Sequence, residues 1–180
     1  MKMSKNKKII LSALLLAMLI ILSRFLSIKT PIVTISFSFV PTMLCAIWLG
    51  SKWTVLVNVL GDLIGATLFP FGSFFIGYTI TTAVAALIYG VLLYKKEEDT
   101  YTEKQFIIRV ILASVLVTVI ANIGLNTLWL NMTTRKAFMV LLASRIVKEL
   151  VMIPIKVITI IFLERVLRKP FNKYLRGEND

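Results

Sequence analysis

A few charged and amide side chains interrupt the long apolar stretches of this 180-residue chain. Asp62 lies in one such stretch, and Asn58 and Phe69 fall on the same face if the stretch is helical, at one and two turns from it. A polar group in the hydrocarbon of a membrane is costly, so it usually faces the bundle interior and often marks function. We therefore treat Asp62, Asn58 and Phe69 as candidate ligand contacts.

A second set of polar residues lies in the C-terminal half. Asn122, Asn126 and Trp129 share one helical face at i, i+4 and i+7. Arg145 and Lys148 lie in the next apolar stretch. Together with Asp62, these residues can meet in the outer half of a helical bundle, and such a set favours a ligand site.

Asp62 and Arg145 are expected at similar depths in the membrane. At 1.5 Å per residue, Arg145 lies about 10 Å below the external end of its helix near Phe138. Asp62 lies at about the same depth below Phe69, the external end of its own helix. The carboxylate, the amides and the bases can therefore meet at one level.

Aromatic residues surround the external turn near Pro70. Phe75 and Tyr78 are spaced i,i+3 and can line the mouth of a pocket. Phe71 and Phe74 are expected in the aromatic belt that marks a membrane interface.

Structural roles account for the same polar residues without a ligand. Arg145 and Glu149, spaced i,i+4, can pair with each other. Asp62 can pair with Lys148, and asparagines often bond neighbouring membrane helices. The sequence assigns no role to Lys156.

The composition predicts an all-α integral membrane protein. Hydrophobic residues make up 58% of the chain and charged residues 17%, and the apolar runs are continuous rather than alternating, which excludes a barrel. A span needs roughly 20 residues, so the chain has room for about six. We predict a single transmembrane domain over residues 1–180, a compact six-helix bundle in which 27–39 is too short and broken to span. The predicted helices are 8–26, 40–50, 53–69, 74–94, 106–130 and 138–167.

The net charge of +12 bears on how the chain is oriented in the membrane. The basic residues crowd the ends of apolar segments, as in membrane proteins, so nucleic-acid binding is not expected. They concentrate at the N-terminus, in the 95–104 linker and in the C-terminal tail, which predicts that both termini are cytoplasmic. The external loops are then 27–39, 70–73 and 131–137, and the first apolar segment is expected to be a retained helix rather than a cleaved signal.

Catalytic machinery is not evident. The chain lacks a GxxxxGK[ST] phosphate loop and any histidine, and its one cysteine, Cys45, lies in an apolar run. We expect no enzymatic activity, cofactor or metal site.

Four short features identify a family. They are the pair Ala13 and Ala17, the stretch Gly61-Asp62, the segment FPFGSFFIGYT from Phe69 to Thr79, and LNTLWL from Leu125 to Leu130. With six helices in under 200 residues, the chain resembles the substrate-binding S-components of energy-coupling factor (ECF) vitamin transporters, most closely the folate type. The resemblance covers nearly the whole chain.

The resemblance implies a function and partners. An S-component binds its vitamin from outside and then associates with a membrane scaffold subunit and two cytoplasmic ATPases. Its helix-one alanine face, here Ala13 and Ala17, contacts the scaffold, and small residues there allow close helix approach. The ATPase subunits account for the lack of an ATP motif in this chain.

Folate suits the candidate residues. Asp62 can accept hydrogen bonds from the donor-rich pterin edge, while the two amides can bond the remaining mixed edge. The aromatic candidates can stack on the planar rings, and three cations can bind the dianionic glutamate tail. The amides are Asn122 and Asn126; the aromatics are Trp129, Phe75 and Tyr78; the cations are Arg145, Lys148 and Arg24.

Other functions remain open at this stage. The chain can be an S-component for pantothenate, thiamine or riboflavin, or a self-contained secondary transporter with Asp62 and Lys148 as a coupling pair. A structural membrane protein would use the polar residues only to hold helices together. A membrane-embedded enzyme is the weakest alternative, because no catalytic set is evident.

The orientation is testable by cysteine labelling in a Cys45→Ala background. A cysteine at Thr133 should react with an impermeant reagent from outside, because the positive-inside rule places that loop outside. A cysteine at Asn179 should react only after permeabilisation. The reverse pattern would contradict the orientation and, with it, the external placement of the site.

Overall fold

The structure, a computed structural model, describes residues 3–29, 34–70, 74–94, 102–134 and 137–176. These residues form six helical rods and one short hairpin, which confirms the predicted all-α bundle. In two rods the α-helix passes into a wider π-helical segment, here named π1 and π2. The elements are α1 (Lys5–Ile20), π1 (Ile21–Phe25), β1 (Ser27–Lys29), β2 (Thr34–Ser36), α2 (Phe39–Leu49), α3 (Ser51–Leu68), α4 (Ile76–Leu93), α5 (Glu103–Val117), π2 (Thr118–Leu125), α6 (Asn126–Thr134) and α7 (Phe138–Arg176).

Two short β-strands follow the first rod. Strands β1 and β2 pair antiparallel, with Ser27 opposite Ser36 and Ile28 opposite Ile35. Three-residue strands are far shorter than the roughly ten residues of a membrane strand. Neither β1 nor β2 is therefore long enough to cross a membrane.

Three of the rods are long and apolar enough to cross a membrane by length and composition: Lys5–Phe25, Ile76–Leu93 and Glu103–Thr134. Helix α2 is apolar but only 11 residues long, and α3 and α7 contain the charged candidates. Helix α7 has 39 residues, or about 58 Å at 1.5 Å per residue. It is longer than the roughly 30 Å hydrocarbon layer, as expected for a helix that projects beyond it.

Several helix ends differ from the predicted ones. The fifth rod begins at Glu103 rather than 106, because Thr102 and Gln105 form a capping box there. It continues to Thr134, beyond the predicted end at 130, and α7 extends past 167 to Arg176. Residues 95–101 of the charged linker, together with Arg135, Lys136 and Asn179, lie outside the described residues.

Helix α2 is the centre of the bundle. Ten of its 11 residues are buried, and it packs against α1, α3, α4 and α7. A helix that is apolar on all sides is expected to be surrounded by protein. The peripheral helices instead expose large aliphatic side chains, such as Leu14, Val91 and Ile158, that suit contact with lipid.

Small residues set the spacing between α3 and α4. A Cβ added at Gly90 would lie 2.8 Å from the Cβ of Ser51 and 2.9 Å from its backbone nitrogen. Gly50, in the turn between α2 and α3, has a φ of 81°, a conformation that favours glycine. This turn and the contact at Gly90 bring the polar faces of α3 and α4 together.

Gly90→Ala should lower the thermal unfolding temperature in detergent, because the new methyl group meets backbone that cannot move aside. Overpacking of this kind costs about 1–3 kcal/mol. Val91→Ile, which also adds one carbon but at a position 63% exposed, is the control and should have little effect. Equal unfolding temperatures for the two variants would contradict the close packing.

Candidate ligand-binding site

Asp62 forms an ion pair with Arg24 from the first rod. The distance from Arg24 Nη2 to Asp62 Oδ1 is 3.5 Å, and the same nitrogen donates to the backbone oxygen of Asp62 at 3.4 Å. Thr79 Oγ1 donates to Asp62 Oδ2 at 2.7 Å. Three separate rods thus meet at this carboxylate, which still has lone pairs to accept from a ligand.

The local backbone accounts for the position of Arg24. The residue lies in π1, and π-helical turns widen a helix end and frequently occur at functional sites. Its guanidinium rests on α3 over Gly65, where an added Cβ would lie 2.8 Å from Arg24 Cζ. Both glycines of the stretch Gly61–Gly65 leave room for a side chain of the first rod. Gly61 accommodates Leu19, and Gly65 accommodates the Arg24 guanidinium.

Three aromatic side chains form a second part of the site. The ring centroids of Phe75 and Trp129 are 5.6 Å apart, and those of Phe75 and Tyr78 are 5.9 Å apart. An added Cβ at Gly77 would lie 2.7 Å from Trp129 Cδ2, so a larger residue there would displace the rings. Trp129 Nε1 donates to Thr81 Oγ1 at 3.0 Å, which fixes the indole plane.

Phe69 lies apart from these three rings. Its ring packs edge-on against Phe25, with centroids 5.0 Å apart, and it is 42% exposed. Phe25 follows Arg24 directly in the chain, so this ring contact joins the end of the first rod to the end of α3.

Glu149 is the most highly bonded carboxylate of the described residues. It is 1% exposed, and each of its oxygens accepts from one lysine and one neutral donor. Oε1 accepts from Lys148 Nζ at 2.8 Å and Asn122 Nδ2 at 3.0 Å. Oε2 accepts from Lys156 Nζ at 2.8 Å and Thr118 Oγ1 at 3.0 Å.

Arg145 bonds the backbone of the fifth rod. Its Nη1 donates to the carbonyl oxygen of Asn122, at 3.1 Å, within π2. Its Nε is buried and makes no hydrogen bond to any residue that the structure describes. The guanidinium therefore has donors available for an anionic group.

The structural pairings differ from both pairings considered from the sequence. Glu149 pairs with Lys148 and Lys156 rather than with Arg145, because Arg145 reaches the carbonyl of Asn122. Asp62 pairs with Arg24 rather than with Lys148. Helical spacing allowed the pair of Arg145 with Glu149, but Arg145 bonds the fifth rod instead, and Asp62 takes its partner from the first rod.

The two remaining amides have different surroundings. Asn58 is buried between α2 and α3, where its Oδ1 accepts from Thr42 Oγ1 at 2.7 Å and its Nδ2 donates to the Thr54 carbonyl at 2.9 Å. The first bond joins α2 to α3, and the second lies within α3. Asn126 is half-buried, and its side chain makes no hydrogen bond within the described parts of the chain.

Sequence reasoning missed three threonines of the site: Thr79, Thr81 and Thr118. Thr79 and Thr81 bond the candidates Asp62 and Trp129 from another rod, and Thr118 bonds Glu149 on α7. Threonine is common in membrane helices and often bonds its own backbone, so its type gave no signal. Only the inclusion of Thr79 in the FPFGSFFIGYT segment pointed to one of them.

The alanine pair of α1 lies on an outer surface. Ala13 and Ala17 are both exposed, whereas the buried face of α1 consists of Ser12, Leu15 and Leu19. The two alanines thus do not pack this bundle internally, and the face they form is open to another helix.

Known proteins resemble the chain over most of its length. Residues 7–164 match the family described as ECF transporter, substrate-specific component. Two curated relatives, both named folate transporter FolT, come from Clostridium novyi (strain NT) and Leuconostoc mesenteroides subsp. mesenteroides (strain ATCC 8293). The first is 39% identical over 88% of each chain, and the second is 38% identical over 84% of this chain and 81% of its own.

A solved structure also resembles the fold. It is described as the crystal structure of FolT bound with folic acid, with a TM-score of 0.75 and 35% identity over 87% of this chain and 90% of that one. Together with the family match, this likeness excludes an unrelated bundle of similar composition. The chain belongs to the family of substrate-specific components of ECF transporters, a family of transport proteins rather than enzymes.

Proposed function

We propose that the chain is the folate-binding subunit of an ECF-type importer. The observation that supports this most directly is the likeness, at 35% identity, to a structure with folic acid bound. Both curated relatives are named folate transporters as well. The residues that form the site have the chemistry that a pterin and a glutamate tail require.

The pterin end is proposed to lie against Asp62. The carboxylate already accepts from Thr79 and pairs with Arg24, and its remaining lone pairs can accept from the amino group and ring N–H of a pterin. Asn126 has an uncommitted amide, and Asn122 donates its Nδ2 to Glu149, which leaves its Oδ1 as an acceptor.

The aromatic residues are proposed to hold the planar rings. Phe75, Tyr78 and Trp129 form a continuous group whose rings are already in contact. A planar ligand gains both apolar burial and ring stacking there. Phe69, exposed on the Arg24 side, is proposed to contact the ligand only at its edge.

The glutamate tail is proposed to bind cations. Arg145 has a buried, unbonded Nε, and Lys148 is the more exposed of the two lysines on Glu149. Arg24 is the third candidate, although its pair with Asp62 ties it to the pterin end. Charged hydrogen bonds of this kind are about twice as strong as neutral ones.

The partners follow from the family. We propose that the chain lies in the cell membrane among lipid, with both termini cytoplasmic, and delivers its ligand with a scaffold subunit and two cytoplasmic ATPases. The exposed Ala13 and Ala17 face supports α1 as the docking helix, because small residues let a second helix approach closely. A secondary transporter based on an Asp62–Lys148 coupling pair has no support, since Asp62 pairs with Arg24 instead.

Asp62→Asn should weaken folate binding. The substitution removes the charge and turns one acceptor into a donor that faces the N–H groups of the pterin. Loss of a charged hydrogen bond with an unsatisfied partner costs about 2–4 kcal/mol, or about thirtyfold to a thousandfold in affinity. Titration calorimetry in detergent measures the change, with gel filtration to verify folding.

The matched control is Glu103→Gln. Glu103 pairs with Arg165 at 3.1 Å, so this variant also neutralises the carboxylate of an arginine pair, but at an exposed position outside the site. Folate affinity should not change. If wild type ignores folate but binds pantothenate, thiamine or riboflavin, the folate proposal is wrong while the family assignment stands.

Ala13→Leu/Ala17→Leu should abolish folate uptake by cells that have the complete transporter, because the larger side chains keep the scaffold helix at a distance. Folate binding to the purified subunit should persist. Ala143→Leu makes the same change on an exposed position of α7 and should leave uptake intact. Loss of binding in the double variant would show that the pair packs the bundle itself and would contradict the docking surface.

A further inference from the structure

Lys156 is a buried cation to which the proposed ligand site gives no role. It is 7% exposed and lies two turns along α7 from Glu149, on the same face. Its Nζ contacts Glu149 Oε2 at 2.8 Å. A buried lysine without a counter-ion is very costly, so the contact with Glu149 is what permits Lys156 at this position.

The single negative charge of Glu149 is matched by two positively charged lysines. The nitrogen of each lysine lies 2.8 Å from a carboxylate oxygen. One of these lysines is sufficient to neutralise it, and the other remains available for a second anion. The two differ in access, because the Lys148 side chain is 19% exposed and the Lys156 side chain 7%.

The surroundings fix Glu149 and Lys156 more firmly than Lys148. Thr118 and Asn122 hold both oxygens of the carboxylate to the fifth rod, so Glu149 cannot follow a ligand. Lys148 is adjacent to Glu149 in sequence and lies on a different face of α7, from which its long flexible stem reaches the carboxylate. Lys148 is therefore the member of the cluster that can turn towards a ligand.

We propose that Lys156 is a positioning residue that neutralises Glu149 and so leaves Lys148 free to bind the carboxylates of the ligand. This inference rests on the proposed binding of folate. Lys156 does not touch the ligand and acts through Glu149. Without it, Lys148 would be the only lysine on a buried carboxylate, and attraction between the two is strong where little water screens it.

Removal of Lys156 should therefore lower the affinity for a negatively charged ligand and not for a neutral one. In a Lys156→Met variant, the ligand must compete with Glu149 for Lys148. Binding of the neutral rings, at Asp62 and the aromatic group, does not involve this competition. A purely structural role of Lys156 would instead weaken the binding of every ligand to a similar extent.

The test compares folic acid with its bis-amide, which has nearly the same size but lacks both negative charges. Titration calorimetry on the purified subunit gives the ratio of the two affinities for each variant. Lys156→Met should lower the affinity for folic acid about tenfold to a hundredfold and change that for the bis-amide little. Lys156→Arg, which keeps the cation, should retain the wild-type ratio.

A second variant removes the competitor as well. In Glu149→Gln/Lys156→Met no charged carboxylate holds Lys148, so the ratio should return to the wild-type value. If Lys156→Met alone does not fold, a low ratio in this double variant still contradicts the inference. An equal loss for both ligands in Lys156→Met, or a low ratio that persists in the folded double variant, would overturn the inference.

The outcomes separate this inference from the proposed function. If wild type binds neither folic acid nor the bis-amide, the folate proposal fails. If wild type binds both with equal affinity, folate binding stands, but the cations do not contact the ligand charge and the role of Lys156 is refuted.

Discussion

A carboxylate in the hydrocarbon layer has no water to bond with, so its charge and lone pairs must be satisfied by other parts of the protein. In this chain that requirement links separate rods. Asp62 on α3 takes Arg24 from π1 and Thr79 from α4, and Glu149 on α7 takes donors from π2 as well as from its own helix. Each carboxylate thus fixes the relative position of the rods around it, and the polar site depends on those two junctions.

The two π-helical segments contribute directly to these junctions. π1 places Arg24 against Asp62, and π2 contains Thr118 and Asn122, both of which donate to Glu149. A π-helical turn displaces backbone groups from the regular ladder, and the Asn122 carbonyl accepts from Arg145 in this region. The irregular backbone is tolerated at membrane depth because side chains of neighbouring rods bond to it.

The interior of the bundle and the exposed face of α1 differ in chemistry. Polar contacts are gathered within the bundle, whereas α1 presents an exposed face of small and aliphatic residues. Arg24, at the end of the first rod, instead contacts α3, so the proposed ligand contact and the proposed docking surface lie on different sides of this rod.

The sequence by itself determined the helical membrane class, the approximate six rods and most of the polar residues, because apolar runs and the cost of polar groups in lipid leave few alternatives. It also indicated the family, through short segments such as FPFGSFFIGYT. Tertiary structure alone decided the pairings. Helical spacing relates residues within one rod, such as Glu149 with Arg145, Lys148 and Lys156 on α7, and does not choose among them. The neighbouring fifth rod decided that choice, because its Asn122 carbonyl accepts from Arg145. The pair of Asp62 with Arg24 and the bond of Asn58 to Thr42 join different rods, so only the tertiary structure could determine them.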